Sequence, residues 1–290
     1  MSSGVIYAFL TAICFGITGV IDKIGVSSVN SPLVYSLQSL LVALIITTLL
    51  TVLYLNKSLR KCLRIPRKIW LYIIMVGILA SGLFVYFRFM GLVESTGTFA
   101  NLSQIMTTSL TAILAWKFLR EKLPIIFWIL FTIIIISTLF VSIGEIKLVA
   151  ISRGDLFILV GTLFLAAANI FSKLAAEKVH PMVITVVRFV FGVMTIVIIG
   201  GLFNPIGLFS QPITIWAVLS GLLWTGSVIF FNFALQRISV TATTSILMLG
   251  PILTLVLESV YLKQSFTQVQ ILAAIIVVCC GLFITRLKTS

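Results

Sequence analysis

Acidic residues are almost missing from this chain. Seven Asp and Glu stand among 290 residues, and charged residues of both signs make up only 9%. A soluble domain carries about a quarter charged residues, so this composition cannot cover a water-facing surface. Histidine occurs once, at His180 just before a proline, with no ligand-spaced partner. That argues against metal or serine chemistry, and so against a membrane enzyme. The four cysteines, Cys14, Cys62, Cys279 and Cys280, show no metal or redox spacing, because the last two are adjacent. They read as packing residues. No GxxxxGK[ST] loop exists, so the chain itself hydrolyses no ATP, and no cofactor is implied.

What is present is long apolar sequence. Hydrophobic residues make up 60% of the chain and the mean hydropathy is +1.25. A spanning helix needs roughly 20 mostly apolar residues. Ten such segments can be drawn: 4–22, 32–55, 69–89, 96–118, 123–142, 154–174, 181–203, 213–235, 240–262 and 267–286. Pro32, Pro124, Pro181 and Pro212 fall at or near segment starts, where a missing N–H costs least. No stretch alternates with period two, as a membrane barrel would require. The expected fold is therefore all-α and polytopic, with ten transmembrane helices. MSSG carries no cation ahead of the first apolar run, so that run reads as a retained helix rather than a secretory signal.

The net charge of +13 invites a nucleic-acid partner, but the placement of the cations excludes it. With the N-terminus inside, fourteen of the 20 Lys and Arg fall in inner loops or the tail. Five fall outside (Lys23, Arg88, Lys147, Arg153, Lys263), and Arg188 lies within a segment. The positive-inside rule then puts both termini in the cytoplasm of a cell-membrane protein. The densest run, NKSLRKCLRIPRK at 56–68, either fixes topology or binds anionic headgroups; the former is the simpler role.

Five segments per half suggest a duplication. Residues 69–89 and 213–233 align at an offset of 144, matching Gly77 with Gly221 and Gly82 with Gly226. At an offset of 143, Leu110-Thr111 matches Leu253-Thr254; at 150, Gly4 matches Gly154 and Lys23 matches Lys173. The units are 1–150 and 151–290. Five helices start on one side and end on the other, so the second unit must run inverted. Such repeats build secondary transporters that work by alternating access.

Particular residues carry a family resemblance. Pro181 followed by Arg188, the stretch FNFALQRISVTATTSILMLGPILTLVLESVYLKQ at 231–264, and LREKLP at 119–124 resemble motifs of the drug/metabolite transporter superfamily, EamA type. Ser39 stands where the first unit would carry the arginine, Thr108 stands opposite Pro251, and Gln264 replaces a glutamate. The resemblance covers the whole chain. It implies a transporter of small organic solutes, such as an amino acid or other metabolite, and efflux rather than uptake.

Charges inside apolar segments are expensive and mark sites to explain. In FVYFRFMGL, Arg88 lies near the outer end of the third segment, and Asp22 lies at similar depth in the first. Their repeat counterparts are Asn232 and Ser172, so both charges disappear together, as members of a pair should. An Asp22–Arg88 bridge, serving as an outer gate, competes with each residue facing headgroups alone. Arg188, roughly 10 Å into the seventh segment from the inner face, either meets an anionic substrate group or stabilises the bundle, with Glu177 and Lys173 nearby in depth. Glu258 in the ninth segment is a candidate carrier of a coupling proton, or else a partner of Arg88 or Lys263. Uncharged polar residues cluster at mid-depth: Asn101, Gln104, Thr107 and Thr108, then Asn169, Trp224, Ser227, Thr244 and Ser245. Singly each suits interhelical hydrogen bonding; together they suit a polar cavity. Gly16, Gly19 and Ala166 to Ala168 suit close helix approach, and Pro251 should kink the ninth segment. A secondary transporter of a small solute is the expected function. A flippase or scramblase of lipid-linked substrates on the same fold is the alternative. The sequence does not fix an oligomeric state.

Overall fold

In the computed structural model, residues 3–55, 66–119, 124–143, 152–203, 207–209, 211–247, 249–263 and 265–286 are described. Apolar runs with no water to satisfy their backbone must bond internally, so they form helices. Helices account for α1 Ser3–Ser27, α2 Pro32–Leu55, α3 Arg67–Leu92, α4 Gly97–Leu119 and α5 Ile125–Ile143. They continue with α6 Arg153–Ala176, α7 Pro181–Phe203, α8 Ile215–Leu235, the two-part α9 (Val240–Leu247 and Gly250–Tyr261) and α10 Gln268–Arg286. No strand occurs among the described residues. Proline opens α2 and α7 and directly precedes α3 and α5, as its fixed φ favours. By length and composition α1, α2, α3, α6, α7 and α8 can each cross a membrane. Shorter apolar helices run over Ser109–Phe118, Ile125–Ser137, Gly250–Tyr261 and Gln268–Cys280. The exterior is greasy: Leu53, Phe118, Ile125 and Leu202 are exposed, and apolar side chains turned outward suit lipid.

Helix packing has a doubled character. α1 packs on α8 and α6 packs on α3; α2 packs on α8 and α7 packs on α3; α1 meets both parts of α9 and α6 meets α4. α2 also meets α7, and α5 meets α10. Every one of these pairs maps to another, or to itself, when α1–α5 are exchanged for α6–α10. Matching glycines sit at two of these contacts. A Cβ at Gly77 would lie 2.6 Å from Phe191 Cβ and 2.9 Å from the Arg188 carbonyl. A Cβ at Gly221 would lie 2.7 Å from Val42 Cβ and 2.8 Å from the Ser39 carbonyl. Glycine is needed at both places because backbone meets backbone there.

The structure departs from the sequence reading at three helices. α1 does not stop at Asp22 but continues to Ser27, because both charges at that point find partners inside the protein. α3 contains a π-helical stretch, Gly77–Leu83, which hydropathy cannot display. Pro251 does not kink a continuous ninth helix. The helix breaks, and Pro251 sits in the first turn of its second part, where its missing N–H removes no helical bond. The basic stretch 56–65, Lys147 and Gln264 lie outside the described residues.

Candidate functional site

Asp22 on α1 is the centre of a sealed polar cluster. Its side chain and that of Arg88 on α3 are both 0% exposed, with Arg88 Nε 3.6 Å from Asp22 Oδ2. Neither group snorkels to headgroups. Oδ1 of Asp22 accepts hydrogen bonds from Ser220 Oγ of α8 at 2.6 Å and from the Tyr35 hydroxyl of α2 at 3.3 Å. The same hydroxyl lies 3.3 Å from the Trp216 carbonyl. Three other helices therefore converge on one carboxylate. Tyr35 reaches it because residue 25 is glycine; a Cβ there would overlap the tyrosine ring. Arg88 also lies over the Phe15 ring, 5.5 Å from its centroid, and Phe15 meets Trp224 edge-on.

Around this pair lies a wider network at the same end of the bundle. Lys23 Nζ donates to the carbonyls of Leu92 at 2.6 Å and Ser95 at 2.5 Å. Leu92 ends α3, so the cation caps a helix terminus of negative dipole. Ser95 Oγ in turn donates to Asp155 Oδ1 at 2.5 Å. Asp155 forms a capping box with Ser152 at the start of α6. Glu258 on α9 is fully buried, and its Oε1 would lie 2.5 Å from a Cβ at Gly97. Asp22, Arg88 and Glu258 are buried, and Lys23, next to Asp22, is half-buried.

Arg188 lies elsewhere. It does not meet Glu177 or Lys173. Its Nε donates to Ser81 Oγ of α3 at 2.9 Å. Lys173 instead donates to the Leu235 carbonyl at 3.0 Å, capping α8, and lies 3.8 Å from Glu177. This is the Lys23 bond repeated in the second half. The matching Lys23 and Lys173 of the sequence perform matching tasks.

The proposed cavity residues are only partly placed. The side chains of Asn101, Gln104, Thr108 and Ser245 lie outside those described. Asn169 and Thr244 are buried; Asn169 Nδ2 donates to Thr111 Oγ1 at 3.2 Å and Thr244 Oγ1 to the Val240 carbonyl at 2.9 Å. Trp224 and Ser227 are buried on α8, with Trp224 packed on Phe15 and Phe84. Thr107 Oγ1 is buried without a hydrogen-bond partner among the described residues. Sequence reading missed Tyr35, Ser220, Ser81, Ser95 and the capping roles of both lysines. The conserved spacing of Lys23 and Lys173 between halves was the signal for the last. It also missed Gln38, whose Nε2 donates to the Pro212 carbonyl at 2.9 Å and whose Oε1 accepts from Thr214 N at 3.2 Å.

An all-helical chain with a greasy exterior and charges sealed within its bundle is a multi-pass membrane protein. The chain belongs to the EamA-like transporter family, whose model matches it twice, over residues 2–143 and 152–287. It is thus a membrane transporter of small solutes. No curated protein matches it significantly. Among solved structures it is similar to one described as "Crystal structure of protein", with a TM-score of 0.74 and 15% identity over 100% of this chain and 98% of that one. That likeness concerns the fold.

Proposed function

We propose that the chain is a secondary transporter that exports a small organic metabolite by alternating access. In this reading ten helices span the membrane as two inverted units, 1–150 and 151–290, with both termini cytoplasmic. The carrying observation is the doubled packing: the main helix contacts of one half have counterparts in the other, the architecture that lets two halves rock about a central site. The buried Asp22–Arg88 cluster holds α1, α2, α3 and α8 together at the outer end, so it serves as a closed outer gate. In this reading Glu258, buried on α9 against Gly97, couples proton uptake to release of that gate. Asn169, Trp224, Ser227 and Thr244, with Asn101, Gln104, Thr108 and Ser245, line the solute path.

One observation favours a second reading. A groove of about 230 Å³ between α9 and α10 is lined only by Pro251, Ile252, Leu255, Ile271, Ala274, Ile275, Val278 and Cys279 and has no polar surface. It would suit an acyl chain of a flipped lipid. The test is the extracellular metabolite profile of cells overproducing the intact protein, beside cells overproducing an Arg88→Ala, Glu258→Gln variant. A small solute that accumulates outside only with the intact protein is the expected result. An unchanged profile removes export and brings uptake or lipid flipping forward.

A further inference from the structure

Arg88 and Arg188 are both arginines buried on helices of the bundle, yet their surroundings differ. Arg88 faces Asp22 and is 0% exposed. Arg188 keeps 4% of its surface open, and no carboxylate among the described residues lies within ion-pair distance of it. Its bond to Ser81 uses Nε alone. That bond fixes the plane of the guanidinium and leaves the end-on pair of terminal nitrogens, the geometry that grips a carboxylate or phosphate with two parallel bonds.

A buried cation without a protein anion is costly unless something compensates it. A packing role does not account for the charge. The α7–α3 contact at Gly77 is repeated by the α2–α8 contact at Gly221, where Ser39 takes the place of Arg188. The fold makes the same helix crossing with a neutral serine, so the crossing does not need a guanidinium. Ser81 lies at the middle of the π-helical stretch Gly77–Leu83, near mid-length of α3, about 10 Å along the axis from Arg88. A Cβ at Gly192 would lie 2.5 Å from Ser81 Cβ, so α7 and α3 hold the pair tightly in register.

We propose that Arg188 is the anion-recognition residue of the solute site, and that the transported solute carries a carboxylate or phosphate group. This rests on the transporter reading and names its substrate class. Binding can be measured without transport, which separates the two. The purified full chain is melted in detergent with inorganic phosphate or acetate, against chloride at matched ionic strength, and with a short-chain phosphatidate as a third arm. The intact protein should gain melting temperature with phosphate or acetate. Arg188→Gln should weaken the apparent affinity at least tenfold, and Arg188→Lys should restore part of it. Ser81→Asp is the second variant, since it leaves Arg188 in place and supplies an internal anion. It should fold and lose the response. Response to phosphate over acetate names a phosphate solute, and the reverse a carboxylate. Response to phosphatidate alone makes the anion a lipid headgroup and overturns a soluble substrate. No response in the intact protein, or an equal one in Arg188→Gln and Ser81→Asp, overturns the proposal. If the anion response holds but no solute is exported, the export reading fails and this one stands.

Discussion

At the scale of single residues the molecule is governed by how few charges it has and how completely it satisfies them. Breaking a buried ion pair by removing one member leaves the other uncompensated, at about 3–5 kcal/mol. Asp22→Ser or Arg88→Asn alone should each cost that much. The double variant installs the residues found at the matching positions Ser172 and Asn232, where Asn232 Nδ2 donates to Thr185 Oγ1 at 3.0 Å. It should recover more than half of the loss in a detergent unfolding series. Equal costs that simply add would show that the two groups do not interact. The pairing was legible in the sequence because charges are rare and both vanish together in the second half. Tyr35, Ser220 and Ser81 were not legible, since an uncharged hydrogen bonder in a membrane helix looks the same whether it meets a carboxylate or its own backbone. His180 gives a separate test outside the membrane. Its Nδ1 accepts the Met182 N–H at 3.3 Å, and burial pushes its pKa below 6.5. The fold prefers the neutral ring. Its contribution to stability is therefore present above pH 6.5 and is lost as the pH falls below that value. NMR of this single histidine should titrate with a midpoint below 6.5.

At the scale of elements, helix ends and interruptions depend on backbone conformation. The second part of α9 ends at Tyr261, and Lys263 follows with φ of 51°. That left-handed position after a helix favours glycine. Lys263→Gly should raise stability by up to about 1 kcal/mol, read as a higher melting temperature. A loss would mean that the lysine side chain contributes more than its backbone costs. Gly25 has the opposite constraint. Gly25→Ala should displace the Tyr35 ring and loosen α1 from α2, with a loss of about 1–3 kcal/mol as for overpacked cores. Adding Tyr35→Ala should relieve the overlap. Most helix bounds follow from hydropathy and proline and agree with the sequence to within a few residues. The π-helical stretch of α3 and the break in α9 do not, because no change in hydrophobicity marks either; neighbouring helices approach closely at Gly77 and Gly250.

At the scale of the whole molecule, the two halves repeat each other more closely than their sequences do. The burial of α1 over 3–28 and of α6 over 153–178 follows the same pattern residue by residue, differing only at Val5, Tyr7 and Phe15 and their counterparts. The sequence showed this as scattered matches at nearly constant offsets; the reason they are scattered is that a greasy helix can bury the same face with many different aliphatic residues. If each half crosses the membrane an odd number of times, as proposed, two copies with the same pattern of burial face opposite sides of it. Ser28 ends the first pattern and Lys178 the second, and both are exposed. Single cysteines at Ser28→Cys and Lys178→Cys, in a chain whose four native cysteines are replaced, should therefore react with a membrane-impermeant thiol reagent from opposite faces. On the proposed topology, with the cation-rich side cytoplasmic, Ser28→Cys should label in intact cells and Lys178→Cys only after the membrane is opened. Labelling of both from one side would contradict the proposed inversion, and with it the rocking of two halves in the proposed transport cycle.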